Sequence, residues 1–97
     1  MGVVRSIPKK DNLVEAIIWV ESRGDTLAYN KSEQALGCLQ IRPIMLREVN
    51  RLLAKNSIKK VYTLKDRTSR SKSIEMFNVI RGHINNPTDE RIARTWN

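Results

Sequence analysis

Glu21 is the residue through which this chain could do acid–base chemistry. It follows Val14 by seven positions, Ile17 by four and Ile18 by three, so on a helix it lies on the apolar stripe and not on the polar face. A carboxyl group partly desolvated against Ile17 and Ile18 has its neutral form favoured, so it can hold a proton near neutral pH and donate it. The competing reading is a helix-end acid paired with Arg23 or another cation. Asp25, Glu33 and Asp66 qualify as second acids by composition only, and each is expected to be a solvated loop residue. Cys38, between small and apolar neighbours, reads as a buried thiol, and His83 as a helix-surface histidine. One cysteine and one histidine allow no internal disulfide and no dedicated zinc site, and no metal or organic cofactor is implied.

The elements that must position Glu21 are helices. Leu13, Val14, Ile17, Ile18 and Val20 predict a first helix over residues 12–22, with Asn12 and Glu15 as a capping box and Gly24 as a left-handed stop. Trp19 lies off the main stripe and is expected in the core. Residues 26–40, rich in Asn, Ser and Gly, read as an ordered polar surface loop. Pro43 opens a second helix carried by Ile44, Met45, Leu46, Val49, Leu52 and Leu53, which Asn56 closes. In the basic stretch 57–70, Ile58, Val61, Tyr62 and Leu64 are expected to pin a loop or short turn, with a brief strand as the alternative. A third helix is predicted over 71–85 from Ile74, Met76, Phe77, Ile80 and Ile84, ended by Asn85-Asn86-Pro87. Thr88 and Asp89 offer caps for a last segment with Ile92, Ala93 and Trp96. The expected fold is all-α or mainly α, a small domain over 1–97 with about four helices and a polar loop after the first.

The 97 residues are 40% hydrophobic and 29% charged, which suits one small domain. Eighteen Lys and Arg against ten Asp and Glu leave a net charge of +8, which favours an anionic partner: nucleic acid, acidic lipid or cell-wall polymer. No apolar run approaches the roughly 20 residues that cross a bilayer, and residues 1–10 lead into no apolar stretch of signal-peptide length. The basic run 59–72 supplies phosphate-binding cations, but no helix-turn-helix spacing or aromatic stacking set accompanies it, which disfavours nucleic acid.

Three separated pieces occur in a meaningful order: Glu21-Ser22-Arg23-Gly24-Asp25, then Ala35-Leu36-Gly37-Cys38-Leu39-Gln40-Ile41-Arg42-Pro43, then Ala93-Arg94-Thr95-Trp96-Asn97. Together they resemble the lysozyme-like domain of soluble lytic transglycosylases and goose-type lysozymes. There a Glu-Ser pair ends a helix, a Gly-x-x-Gln-Ile-x-Pro segment follows a polar loop, and an Ala-x-x-Tyr-Asn segment comes later. The likeness covers residues 14–43 and 91–97; residues 46–86 match in helical pattern alone. It implies cleavage of the β-1,4 bond between N-acetylmuramic acid and N-acetylglucosamine in peptidoglycan glycan strands, with Glu21 as general acid and then base. It also implies that Ser22, Gln40, Trp96 and Asn97 hold the acid or the sugar. Trp96 stands where the family has Tyr, so packing in the core is an equal reading for it. Hydrolysis and 1,6-anhydro-sugar formation both stay open. The last segment meets the chain end at Asn97, which leaves open a truncated, phage-encoded domain or a cleft completed by another subunit. Action at the bacterial cell wall is implied, with delivery by a phage particle, by lysis or by another export route. The other expectations are a catalytically inactive structural domain of a phage particle or secretion machine, and a basic nucleic-acid-binding helical module.

Overall fold

The computed structural model describes residues 9–84 and 89–96. Four helices, α1 (Lys9–Ser22), α2 (Pro43–Lys55), α3 (Arg70–Arg81) and α4 (Asp89–Trp96), enclose the core. Between α1 and α2 lies a small hairpin of two-residue strands, β1 (Tyr29–Asn30) and β2 (Ala35–Leu36), and a five-residue 3-10 helix (Leu64–Thr68) precedes α3. The chain is mainly helical, and no helix among the described residues is long and apolar enough to cross a membrane.

α2 forms as its local chemistry dictates. Pro43 occupies the first turn, where its missing N–H is no loss, and Asn56 at the C-cap donates its side-chain amide to the Leu52 carbonyl at 2.9 Å. Its buried stripe, Leu46, Val49, Leu52 and Leu53, faces α3, which answers with Met76, Phe77 and Ile80. Phe77 is fully buried and meets Trp96 of α4 edge to face, ring centroids 4.9 Å apart. Burial of each such side chain contributes roughly 1.5–3 kcal/mol.

Several expectations need correction. α1 already runs through residues 9–11, so Asn12 lies within it and caps nothing; Glu15 instead pairs across the fold with Arg70 of α3. Trp19 is 61% exposed and Val20 78%, because α1 buries Val14, Ile17 and Ile18 and can turn only one face inward. The Arg23 guanidinium lies 5.1 Å from the centre of the Trp19 ring, a cation–π contact at the surface. The loop after α1 contains the antiparallel pairs Tyr29–Leu36 and Asn30–Ala35, and it sends Ala35, Cys38 and Leu39 into the core. No strand forms in residues 57–70. The 3-10 helix there is fixed by a capping box, in which Thr63 N–H donates to Asp66 Oδ2 at 2.8 Å. α3 stops at Arg81, and Ile84 packs on the core from beyond its end. Asn85, Asn86, Pro87, Thr88 and Asn97 lie outside the described residues.

Candidate active site

The last turn of α1 carries Glu21 half-buried, and the chain then reverses. Arg23 and Gly24 both take positive φ, 55° and 86°, a left-handed pair that ends the helix and starts the loop. The Leu27 N–H donates to Asp25 Oδ1 at 2.9 Å, a local turn that aims the chain into the hairpin.

Glu21 makes no hydrogen bond or ion pair among the described residues. Burial, and then the negative charge of Glu33 on the hairpin, push its carboxyl above the ordinary glutamate range, while Arg42 at the start of α2 pulls it partly back. Glu33 thus stands out electrostatically among the three further acids. Asp25 is spent on its turn. Asp66 is held below the usual carboxylate range by the Thr63 N–H, with Lys72 adding to the effect.

Ser22, one residue on, fastens helix to loop. Its hydroxyl lies 2.7 Å from the Cys38 carbonyl, to which it donates, and accepts from the Gly24 N–H at 3.1 Å. Gln40 turns its amide nitrogen to two backbone carbonyls, Ala28 at 2.9 Å and Gly37 at 3.0 Å, closing the base of the hairpin. Gln40 itself sits at φ 50°, and the Leu36–Ile41 bridge follows it. The Trp96 indole is buried at 7% exposure and donates Nε1–H to the Leu39 carbonyl at 2.8 Å. Ser22, Gln40 and Trp96 therefore hold the segment from Gly37 to Gln40 through its own carbonyls and those of Ala28. Ser22 and Trp96, 74 positions apart in the sequence, converge on it with Gln40 between them in chain order. Of the two readings open for Trp96, packing in the core is the one the structure adopts. Burial pushes the Cys38 thiol up, which makes it a small core residue and not a nucleophile.

Sequence reasoning missed Arg67. It reads as one more cation of a basic run, yet it is only 6% exposed, and its guanidinium meets carbonyls alone: Gln34 at 2.7 Å, Ile41 at 2.8 Å and Leu64 at 2.9 Å. Its own carbonyl presses on Gly37. A Cβ at that glycine would lie 1.9 Å from the Arg67 oxygen, and φ there is 92°. The glycine is required for a close backbone approach, and what approaches is the 3-10 helix. No local signal marks Arg67, because two of its three carbonyl partners lie 26 and 33 positions away.

Among the described residues no group of three or more His, Cys, Asp and Glu is placed to hold a metal ion. Tyr62 is a loop anchor, buried, with its hydroxyl donating to Glu75 at 2.6 Å; Tyr29 is exposed on the hairpin. The chain matches no family model, no curated protein and no solved structure.

Proposed function

We propose that this is a lysozyme-like domain that cleaves the β-1,4 bond of peptidoglycan glycan strands at the bacterial cell wall, with Glu21 as general acid. The observation that carries the reading is the state of Glu21: a half-buried carboxyl in the last turn of α1, without a hydrogen bond or ion pair among the described residues, and under the negative charge of Glu33 on the hairpin. A carboxyl in that setting keeps its proton at higher pH than a solvated one and can give it to a glycosidic oxygen as the bond to the anomeric carbon breaks. The carboxylate that results then takes a proton from whichever hydroxyl attacks that carbon. If it is the muramyl hydroxymethyl, the product is a 1,6-anhydro sugar; if it is water, a reducing end. Ser22, Gln40 and Trp96 act in this reading as positioning residues, because their polar hydrogens are committed to backbone carbonyls. Asn97 is a sugar-binding position by resemblance alone.

Mass spectrometry of muropeptides released from purified peptidoglycan by the chain and by Glu21→Gln tests this, with circular dichroism showing that both are folded. Anhydro-muramyl products from the parent alone make it a lytic transglycosylase, and reducing ends make it a lysozyme. Equal release by both proteins, or none from either folded protein, overturns the assignment.

A further inference from the structure

The segment between α2 and the 3-10 helix carries a combination that the Glu21 site does not use. Ile58, Val61 and Leu64 are 49%, 69% and 50% exposed, and they alternate with the exposed lysines Lys59, Lys60 and Lys65. Three of the eight large hydrophobic side chains exposed among the described residues thus fall in one short stretch that also carries three lysines and no acid.

The stretch is held rigidly. Tyr62, in its middle, turns inward. Its N–H donates to Asn50 Oδ1 at 2.9 Å, its carbonyl accepts from Asn50 Nδ2 at 3.0 Å, and its hydroxyl reaches Glu75. The Ile58 N–H donates to the Leu53 carbonyl at 2.9 Å at one end, and the Thr63–Asp66 capping box fixes the other. Lys60 pairs with Glu75, whereas Lys59 and Lys65 make no ion pair among the described residues. A segment anchored at both ends and the middle, with apolar side chains left in water, presents them at little further entropic cost.

A polyanion such as nucleic acid would engage the lysines and gain nothing from Ile58, Val61 and Leu64. An anionic bilayer accepts both, since phosphates attract the lysines while the headgroup–acyl boundary takes the apolar side chains out of water. We propose that residues 58–65 form a peripheral docking surface for an anionic lipid bilayer. The proposal does not depend on the reading of Glu21.

Co-sedimentation of the full chain with vesicles of phosphatidylcholine and phosphatidylglycerol, against phosphatidylcholine alone, tests it. Binding is expected only with the anionic lipid and is weakened by added salt. Lys59→Gln with Lys65→Gln should lower the affinity roughly 25-fold, about 5-fold per lysine. Val61→Ser, at a side chain 69% exposed, should lower it about tenfold. Circular dichroism verifies that each variant is folded. No binding to the anionic vesicles overturns the proposal. So does binding that Val61→Ser leaves unchanged, or binding to duplex DNA of equal strength that is likewise insensitive to Val61→Ser, since either makes the surface a simple polyanion site.

Discussion

Replacing Gly37 by Ala separates the backbone contact that builds the candidate site from the general strain of a positive φ. Gly24 is the internal control: φ is 86° there and 92° at Gly37, but nothing lies within 4 Å of a Cβ at Gly24, whereas a Cβ at Gly37 meets the Arg67 carbonyl oxygen at 1.9 Å and its carbon at 3.0 Å. Left-handed strain costs both variants roughly 1–2 kcal/mol, offset by about 0.4–1 kcal/mol from the stiffer unfolded chain. Gly24→Ala should therefore lose about 1 kcal/mol. Gly37→Ala must in addition move backbone by more than 1 Å where Arg67 holds Gln34, Ile41 and Leu64. Bonds to a charged donor contribute roughly 1.5–3 kcal/mol each, so weakening even one takes the total past about 3 kcal/mol. Urea unfolding followed by circular dichroism reads the difference as a midpoint about 1 M lower for Gly37→Ala, given slopes of about 1–3 kcal/mol per M. Failure of Gly37→Ala to fold while Gly24→Ala folds is the same result at its extreme. Equal midpoints for the two variants refute the reasoning, because they would leave the Arg67 approach with no energetic role.

Glu21→Gln should be neutral for stability in acid and stabilising at pH 7. Burial and Glu33 raise the folded-state pKa above the ordinary glutamate value of about 4.5, so the native state holds the proton more tightly than the unfolded chain. That advantage is complete below pH 4.5 and is lost as pH rises through the folded value, a loss Gln does not suffer. Solvent screening at a half-exposed group limits the gap to about 1 kcal/mol, and urea midpoints at both pH values measure it; an inverted or absent gap at pH 7 counts against a raised pKa. Trp96→Phe keeps a ring for the edge-to-face contact with Phe77 but strands the Leu39 carbonyl, and should cost about 1–3 kcal/mol in the same assay. A loss below about 0.5 kcal/mol would mean that the indole N–H does not hold Leu39.

The parts of the fold that were legible are those whose instructions are local. α2 could be read from Pro43 to Asn56 because stripe, first-turn proline and C-cap all lie in the element they define. α1 was legible as a helix but not as an oriented one, since Trp19 and Val20 make its outer face apolar too, and periodicity alone cannot choose between two apolar faces. The hairpin went unread because two-residue strands are too short to show alternation. Glu21 was marked by its place on the stripe, and the raised pKa agrees with that mark. The influence of Glu33 and the burial of Arg67 were not readable, since each depends on groups brought close by the completed fold.

The bond from Trp96 to the Leu39 carbonyl spans 57 positions, the Arg67 bonds 26 and 33, and the Ser22–Cys38 bond 16. Contacts between parts of the chain so far apart form late, after loop closure has been achieved by packing elsewhere. On a ribosome, α1, the hairpin and α2 emerge well before Trp96 exists to take its place. Until it does, the Leu39 carbonyl lacks its indole donor, so the segment that Ser22, Gln40 and Trp96 hold is set only once nearly all of this sequence has been synthesised.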